Sequence, residues 1–269
     1  MAALAIGART HLAGQRLRVL TGGRALVWGS VAMVLVVLVV YPMVWLVLRS
    51  LSRPGGEGLT LGNYLVAFST WRYLEAIWNS LRVALAVAVL GLLMGVPSAW
   101  AVARTDMPLK RLVQTCVLGS FITPGFLGAI AWILLAGPNA GWLNQVFTTL
   151  TGTAAGPFNI YSLTGLIFVI ALYTYPYAFL FTTTALELMS SEMEDAAAIL
   201  GAGVFRTMAA VTVPLALPAL AGAFIMAFLE SVALFGSPLL IAVPARIQVI
   251  TTQLFQFFQF PSKVELAAA

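Results

Sequence analysis

Acidic residues are scarce in this chain, and their clustering marks the segment with the clearest chemistry. Four of the nine acids lie close together: Glu187, Glu192, Glu194 and Asp195. Ser191-x-x-Glu194 has the spacing of a capping box, in which the serine and glutamate side chains bond to backbone N–H groups at the start of a helix. Acids in the first turn also stabilise a helix through its dipole. The pattern predicts a short helix with a fixed start.

The residues after this start predict where the helix ends. Asp195-Ala196-Ala197 is followed by Gly201 and Gly203, and glycines end helices by adopting left-handed backbone angles. A second helical piece then carries Phe205 and Arg206. Spacing alone leaves two interpretations open. One is a connector helix lying on a membrane surface, and the other is a docking site whose small alanines let another protein approach closely.

The remaining reactive residues do not form a catalytic pattern. The only histidine is His11, in a basic leader, and the only cysteine is Cys116, in an apolar run. They cannot build a typical zinc or iron site, and no nucleophile has a histidine base beside it. A phosphate-binding loop needs a lysine after glycine, whereas Lys110 follows leucine and Lys263 follows serine. We expect no enzyme activity, no metal and no cofactor, and any ATP hydrolysis belongs to another subunit.

Two ionisable residues fall inside apolar stretches, Arg82 and Glu230. Such groups are costly in lipid and usually face a bundle interior or a water-filled path. They are therefore candidates to pair with each other or to line a translocation route. The alternative is that Arg82 extends to the lipid headgroups while Glu230 bonds a neighbouring backbone or hydroxyl group.

The composition places these residues in a membrane protein. The chain is 61% hydrophobic and 9% charged, whereas a soluble domain is about 45–50% apolar and about 25% charged. Its apolar residues form long unbroken runs, which excludes the alternating pattern of a barrel. The fold class is therefore all-α, a polytopic bundle of transmembrane helices. The basic residues behind the net charge of +5 flank the apolar runs. This position indicates contact with lipid headgroups and not with nucleic acid.

The apolar runs predict five complete spans and the start of a sixth. A cytoplasmic basic leader, 1–24, precedes a transmembrane domain over 25–269. The five spans are expected at about 25–48, 77–103, 112–136, 161–184 and 209–235. The third is broken by Pro124-Gly125, the acidic segment lies in a loop over 186–208, and the sixth is truncated from about 264. Basic residues are more frequent on one side, which places the N-terminus in the cytoplasm.

The acidic segment resembles the "EAA" loop of the membrane subunits of bacterial ABC importers. In that family an acid opens the motif, two alanines follow, and a glycine lies six positions after the acid. The loop forms coupling helices that sit in a groove of the ATP-hydrolysing subunit. The resemblance assigns docking to Glu194, Asp195, Ala196, Ala197, Gly201, Phe205 and Arg206. One departure is Gly203, where many members have serine.

The resemblance extends beyond this loop and implies a MetI-like fold. Motifs similar to the N-terminal half of ferric-iron-type permeases are Asn79-Ser80-Leu81, Trp132 to Leu135, Gly137-Pro138-Asn139, Phe158 to Ser162, Tyr173 to Tyr177 and Phe235 to Pro238. The implied partners are a cytoplasmic ATP-binding subunit, a second permease half or subunit, a periplasmic or extracellular substrate-binding protein and the lipid bilayer. Ferric iron is the implied substrate, and polyamine, thiamine and phosphonate permeases are similar. A half permease encoded as its own chain is an alternative to a fragment.

Two other classes of function remain open at this point. A secondary transporter or channel would move solute without an ATPase. A membrane scaffold would dock a partner through the acidic segment without any transport.

Overall fold

The computed structural model describes residues 23–56, 58–190 and 192–269. Within these ranges every regular element is a helix. Four helices are long and apolar enough to cross a membrane: Leu26–Ser50, Trp71–Arg104, Leu163–Leu188 and Val204–Ala233. A fifth crossing is possible if the bent pair Lys110–Ile122 and Gly125–Ala136 forms one span. The prediction of an all-α transmembrane bundle is confirmed. The side chains of the basic leader, His11 included, and Ser191 of the capping box lie outside the described residues.

The chain divides into two compact units, and the first combines the described residues up to 67 with residues 260–269. Helices α1 (Gly23–Leu35) and α2 (Tyr41–Ser50) are joined by a π-helical turn into one continuous helix. Its apolar side chains are exposed, as suits a helix in contact with lipid. A short helix α3 (Gly62–Ser69) follows. The buried Asn63 ties it to the end of α2, because its Nδ2 donates to the carbonyl oxygens of Ser50 and Ser52, each at 2.8 Å.

The second unit, residues 68–259, contains the helices that matter for function. They are α4 (Trp71–Arg104), α5 (Lys110–Ile122), α6 (Gly125–Ala136), α7 (Trp142–Thr151), α8 (Leu163–Leu188), α9 (Glu192–Ile199), α10 (Val204–Thr207), α11 (Val213–Ala233), α12 (Gly236–Ile241) and α13 (Ile250–Phe257). The long helices α4, α8 and α11 pack on one another. A π-helical turn, Met208–Thr212, joins α10 to α11 without a break.

Small residues form the contact between α4 and α8. Along one face of α4 the buried positions are Ala84, Ala88, Gly91, Gly95 and Ala99. At Gly95 the two backbones approach so closely that an added Cβ atom would lie 2.7 Å from the carbonyl oxygen of Tyr175. Helices in membranes associate by such close packing, because lipid supplies no hydrophobic force between them. The α4–α8 contact therefore depends on the lack of a side chain at Gly95.

The predicted third span, 112–136, is two helices and not one straight crossing. Helices α5 and α6 meet at an angle of 100°. Thr123 and Pro124 between them are both extended, with ψ of 123° and 127°, because proline disfavours helical angles in the residue before it. The start of α6 is held from outside, since Ser237 Oγ donates to the carbonyl oxygen of Gly125 at 3.0 Å.

Several predicted boundaries and loops differ from the structure. Helix α4 begins at Trp71, before the expected start of the span at about 77. The segment between the third and fourth predicted spans contains α7. The buried Asn144 shapes it, donating to the carbonyl oxygens of Gly137 and Phe158. The sequence contains no periodic pattern that would predict these polar contacts.

The α4–α8 contact gives a first prediction. Gly95→Ala should lower the unfolding free energy by about 1–3 kcal/mol, because the new methyl meets backbone atoms that cannot move aside. Gly91→Ala is the matched control, since its Cβ would lie 3.6 Å from Tyr175 Cα, an ordinary contact. The measurement is the thermal midpoint of each variant in detergent. Equal midpoints for the two variants would contradict this account of the contact.

Candidate functional site

The acidic segment forms a helix with a defined end. After α9 the backbone of Gly201 takes a φ of +81°, in the left-handed region that favours glycine. The Gly201 N–H donates to the Ala198 carbonyl, and the Ala202 N–H donates to the Ala197 carbonyl. These two bonds make a Schellman motif, which satisfies the last carbonyls of the helix. The turn after α9 is therefore specified by Gly201.

The second glycine of this turn behaves differently from the prediction. Gly203 has a φ of −73° and precedes α10 as its N-cap, so its backbone is extended and not left-handed. At the other end of α9, the Glu192 N–H donates to Ser190 Oγ at 3.2 Å. Glu192, Glu194 and Asp195 occupy the first turn of α9, where the helix dipole favours them.

Most of the docking residues assigned by the resemblance are exposed. Asp195, Ala196, Gly201 and Arg206 are exposed, while Ala197 is half-buried. Large apolar side chains lie beside them in the same turn and in α10, with exposures of 86% for Ile199, 87% for Leu200 and 82% for Phe205. A contiguous apolar surface of this kind, bordered by polar residues, is typical of a protein contact.

Glu194 points the other way, toward the bundle, and fastens the segment. Its Oε2 lies 3.0 Å from Arg104 Nε in an ion pair, with both side chains only 17% exposed. Its Oε1 accepts a 2.6 Å hydrogen bond from Thr212 Oγ1. Arg104 is the last residue of α4 and also donates to the carbonyl oxygen of Met189, the C-cap of α8, at 3.1 Å. One carboxylate thus connects α9 to the end of α4 and to the start of α11.

Sequence reasoning assigned Glu194 to a capping box and to docking, and it missed both of these partners. Arg104 was counted only for membrane topology, and Thr212 was not singled out. The available signal was a basic residue at the C-terminus of one helix, together with an acid in another loop on the same side of the membrane. The partners are far apart in the chain, so spacing alone could not connect them.

An apolar cavity of about 430 Å³ lies beneath α10. Its lining comes from α4, α8, α10 and α11 and includes Pro97, Trp100, Leu186, Phe205 and Met208. The buried Oγ1 of Thr182 also faces this region and has no hydrogen-bond partner among the described residues. Polar contacts at Glu194 hold the segment, whereas the space under α10 is not filled by packing.

A second cavity, of about 200 Å³, opens where the third span bends. It is called the Glu230 cavity here. Its polar lining residues are Thr123, Tyr173, Thr174, Tyr177, Glu230 and Ser237. Glu230 is exposed on the surface of this chain, in the last turn of α11. The structure thus places a carboxylate beside hydroxyl groups from the middle of α8.

Arg82 lies apart from this cavity. Its guanidinium carbon is 4.9 Å from the centre of the Trp78 ring, a cation–π geometry. It borders a shallow cavity with Glu75 and Asn79. The alternative that Arg82 and Glu230 pair is therefore wrong. In the part of the chain that the structure describes, no three His, Cys, Asp or Glu side chains come together as metal ligands.

Comparison with known proteins assigns the family. Residues 88–269 match the family described as "binding-protein-dependent transport system inner membrane component". The chain belongs to this family. The match covers the α9 segment, both cavities and the helices that position them, so the resemblance to ABC importer permeases is confirmed. The permease is accordingly a multi-pass membrane protein and a transport component, consistent with the expectation that it is not an enzyme.

Relatives of the permease differ in substrate. A putative ABC transporter permease, ORF1 of Streptomyces antibioticus, is 33% identical over 64% of this chain and 67% of its own length. The molybdenum permease ModB of Azotobacter vinelandii is 30% identical over 68% of this chain and 79% of its own length. The putative ferric permease FbpB 1 of Haemophilus influenzae is 25% identical over 72% of this chain and 30% of its own length. The chain thus spans about two thirds of the first relative's length.

A solved structure supports the fold. A bacterial ABC transporter involved in alginate import superposes with a TM-score of 0.75, over 96% of this chain and 91% of that chain, at 15% identity. At this identity the likeness concerns the fold alone. It shows that the helix arrangement described above is that of known importer permeases.

The Glu194 contacts give a second prediction. Glu194→Gln removes the ion pair with Arg104, worth about 1–2 kcal/mol at this degree of burial. Backbone amides of α9 should then exchange hydrogen about tenfold faster, read by mass spectrometry of peptides covering 192–200. Glu192→Gln removes the same charge from the same turn, but this side chain is exposed, so exchange should change little. Equal acceleration by both variants would show that the helix dipole, and not Arg104, stabilises α9.

Proposed function

We propose that the permease forms part of the translocation pathway of an ATP-driven importer in a bacterial inner membrane, and that residues 192–207 dock its ATPase. The observation that carries this proposal is the construction of the α9 segment. It has a defined end at Gly201 and presents Leu200 and Phe205 to solvent. It is also tied by Glu194 to two membrane helices. A connector helix would need neither the exposed apolar surface nor this attachment.

The contacts of Glu194 indicate how a movement of the ATPase would reach the membrane. A push on α9 passes through the ion pair to Arg104 at the end of α4, and through Thr212 to the start of α11. Both helices pack on α8. Displacement of the segment then rotates packed helices together, a rigid-body change between inward-open and outward-open states. The permease itself carries no catalytic step.

The surface around Glu230 supports a second permease half or subunit as partner. Ile225, Met226 and Leu229 are exposed on α11 beside this carboxylate. An ionised side chain facing lipid is costly, so we assign this face to a protein contact that also encloses the pathway. A substrate-binding protein would deliver the solute to the outer side.

The proposed orientation has the N-terminus in the cytoplasm. It puts Arg104, Lys110 and Arg111 on the same side as α9, as the positive-inside tendency favours. It puts the exposed rings of Trp71 and Trp142 at the outer face. Tryptophan is enriched at membrane interfaces, which supports contact with the lipid headgroups there.

Ferric iron is the substrate that the ferric-type motifs suggest, and FbpB 1 carries a ferric name. Other relatives are named for molybdate or tungstate, sulfate and diacetylchitobiose. Polyamine, thiamine and phosphonate importers remain alternatives. The test is uptake of each of these solutes by the complete importer, assayed with its substrate-binding protein. Uptake that continues without an ATPase would instead identify a secondary transporter or a channel.

Docking at Gly201 gives a third prediction. Gly201→Val forces a β-branched residue into the left-handed region, at a cost of about 1–3 kcal/mol. The Schellman turn should distort, and co-purification of the ATPase and ATP-dependent uptake should both fall at least severalfold. Gly203→Val is the matched control, because that backbone is extended and neither position has an atom within 4 Å of an added Cβ.

The two readouts separate the remaining explanations. If ATPase binding and uptake both survive Gly201→Val, the segment is not the docking site. If Gly203→Val is as damaging as Gly201→Val, loss of function reflects crowding at the surface and not the turn.

A further inference from the structure

The Glu230 cavity carries an imbalance of charge that bears on the substrate. Of its lining residues, Glu230 is the only one with a charged side chain. The remaining polar groups are hydroxyls, among them those of Tyr173, Tyr177 and Thr123. Hydroxyl groups accept hydrogen bonds as well as donate them. The hydroxyl oxygens of the lining can therefore face a positive charge.

The position of the cavity makes this charge costly. Tyr173, Thr174 and Tyr177 lie near the middle of α8, and Pro124 is at the bend of the third span. Glu230 is exposed on the surface of this chain, and within the described residues no Lys or Arg forms an ion pair with it. An ionised side chain within a membrane span is costly unless it is paired or faces a water-filled cavity. The carboxylate is therefore in a setting that a passing positive charge would stabilise.

We propose that the Glu230 cavity binds a small cation as it passes along the translocation pathway, and that Glu230 supplies the opposite charge. The proposal rests on the proposed import function and narrows it to a class of substrate. Metal cations and short organic amines fit that class. Oxyanions such as molybdate, sulfate and phosphonate do not, because like charges repel strongly where water is scarce.

The size of the cavity agrees with a small solute. Its volume of about 200 Å³ in one chain is several times the roughly 30 Å³ that one water molecule occupies in the liquid. Backbone near the bend lines the same space, since Pro124 and Gly125 belong to it. Irregular backbone at membrane depth is tolerated where it lines such a cavity.

The test measures the charge preference of the cavity directly. In the intact chain in membrane vesicles, with Cys116→Ala, a reporter cysteine is introduced as Thr123→Cys, an exposed lining position. Its labelling rates with a cationic and an anionic methanethiosulfonate are compared, with Thr149→Cys on α7 as the reference outside the cavity. Relative to that reference, the cation-to-anion ratio should be about tenfold higher at Thr123→Cys. It should fall to the reference value when Glu230→Gln is added.

Each outcome decides the proposal. An equal ratio at the two cysteines, a ratio unaffected by Glu230→Gln, or no labelling of Thr123→Cys by either reagent would overturn it. None of these results depends on an ATPase, so they are separate from the docking experiments.

Uptake by the complete importer is a second, independent test of the charge preference. The complete importer is assayed with three radiolabelled probes, ferric ion, putrescine and molybdate. Uptake of ferric ion or putrescine that drops about tenfold in Glu230→Gln supports the proposal, whereas uptake of molybdate by the unmodified importer overturns it and leaves the import function standing. If the ATPase fails to bind, the import function is wrong even where the labelling ratio is as expected.

Discussion

The close approach of α4 and α8 is the constraint on which the other features depend. At Gly95 an added Cβ atom would lie 2.6 Å from Ala178 Cβ and 2.7 Å from the carbonyl oxygen of Tyr175, so the contact leaves no room for a side chain there. The last residue of α4, Arg104, reaches both the C-cap of α8 and Glu194. The α9 segment is thus tied to one end of this helix pair. Lipid cannot drive this association, so its precision comes from shape.

Polar contacts hold the segments that lie outside the packed helices. Asn63, Asn144 and Ser237 each bridge segments that have left the helical pattern. Each bond satisfies a backbone carbonyl that would otherwise face an apolar surrounding. Glu194 likewise bridges α9 to the end of α4 and to the start of α11, through a charged group. The permease therefore combines a bundle of small residues with a few specific polar connections at its ends.

Features caused by neighbouring residues could be predicted from the sequence, whereas features caused by contacts between distant residues could not. The membrane class and the end of α9 at Gly201 depend on neighbouring residues, and both could be predicted. The break at Pro124 was also predictable, but its 100° angle depends on contacts from distant elements such as Ser237. Glu194 was expected in a capping box and at a docking surface, whereas its contacts with Arg104 and Thr212 were not foreseen, because a pair joined through the fold has no fixed spacing. Gly203 was misjudged because a glycine permits left-handed angles without requiring them.

The space beneath α10 is not filled by packing. Its apolar walls forgo the dispersion contacts that a packed interface would supply. The α9 segment is therefore positioned by its glycine turn, by the carboxylate of Glu194 and by the unbroken helix from α10 into α11. A volume of about 430 Å³ is within the range of small-molecule sites. A compound that occupied it would contact α4, α8, α10 and α11 at once, and would therefore oppose any movement of these helices relative to one another.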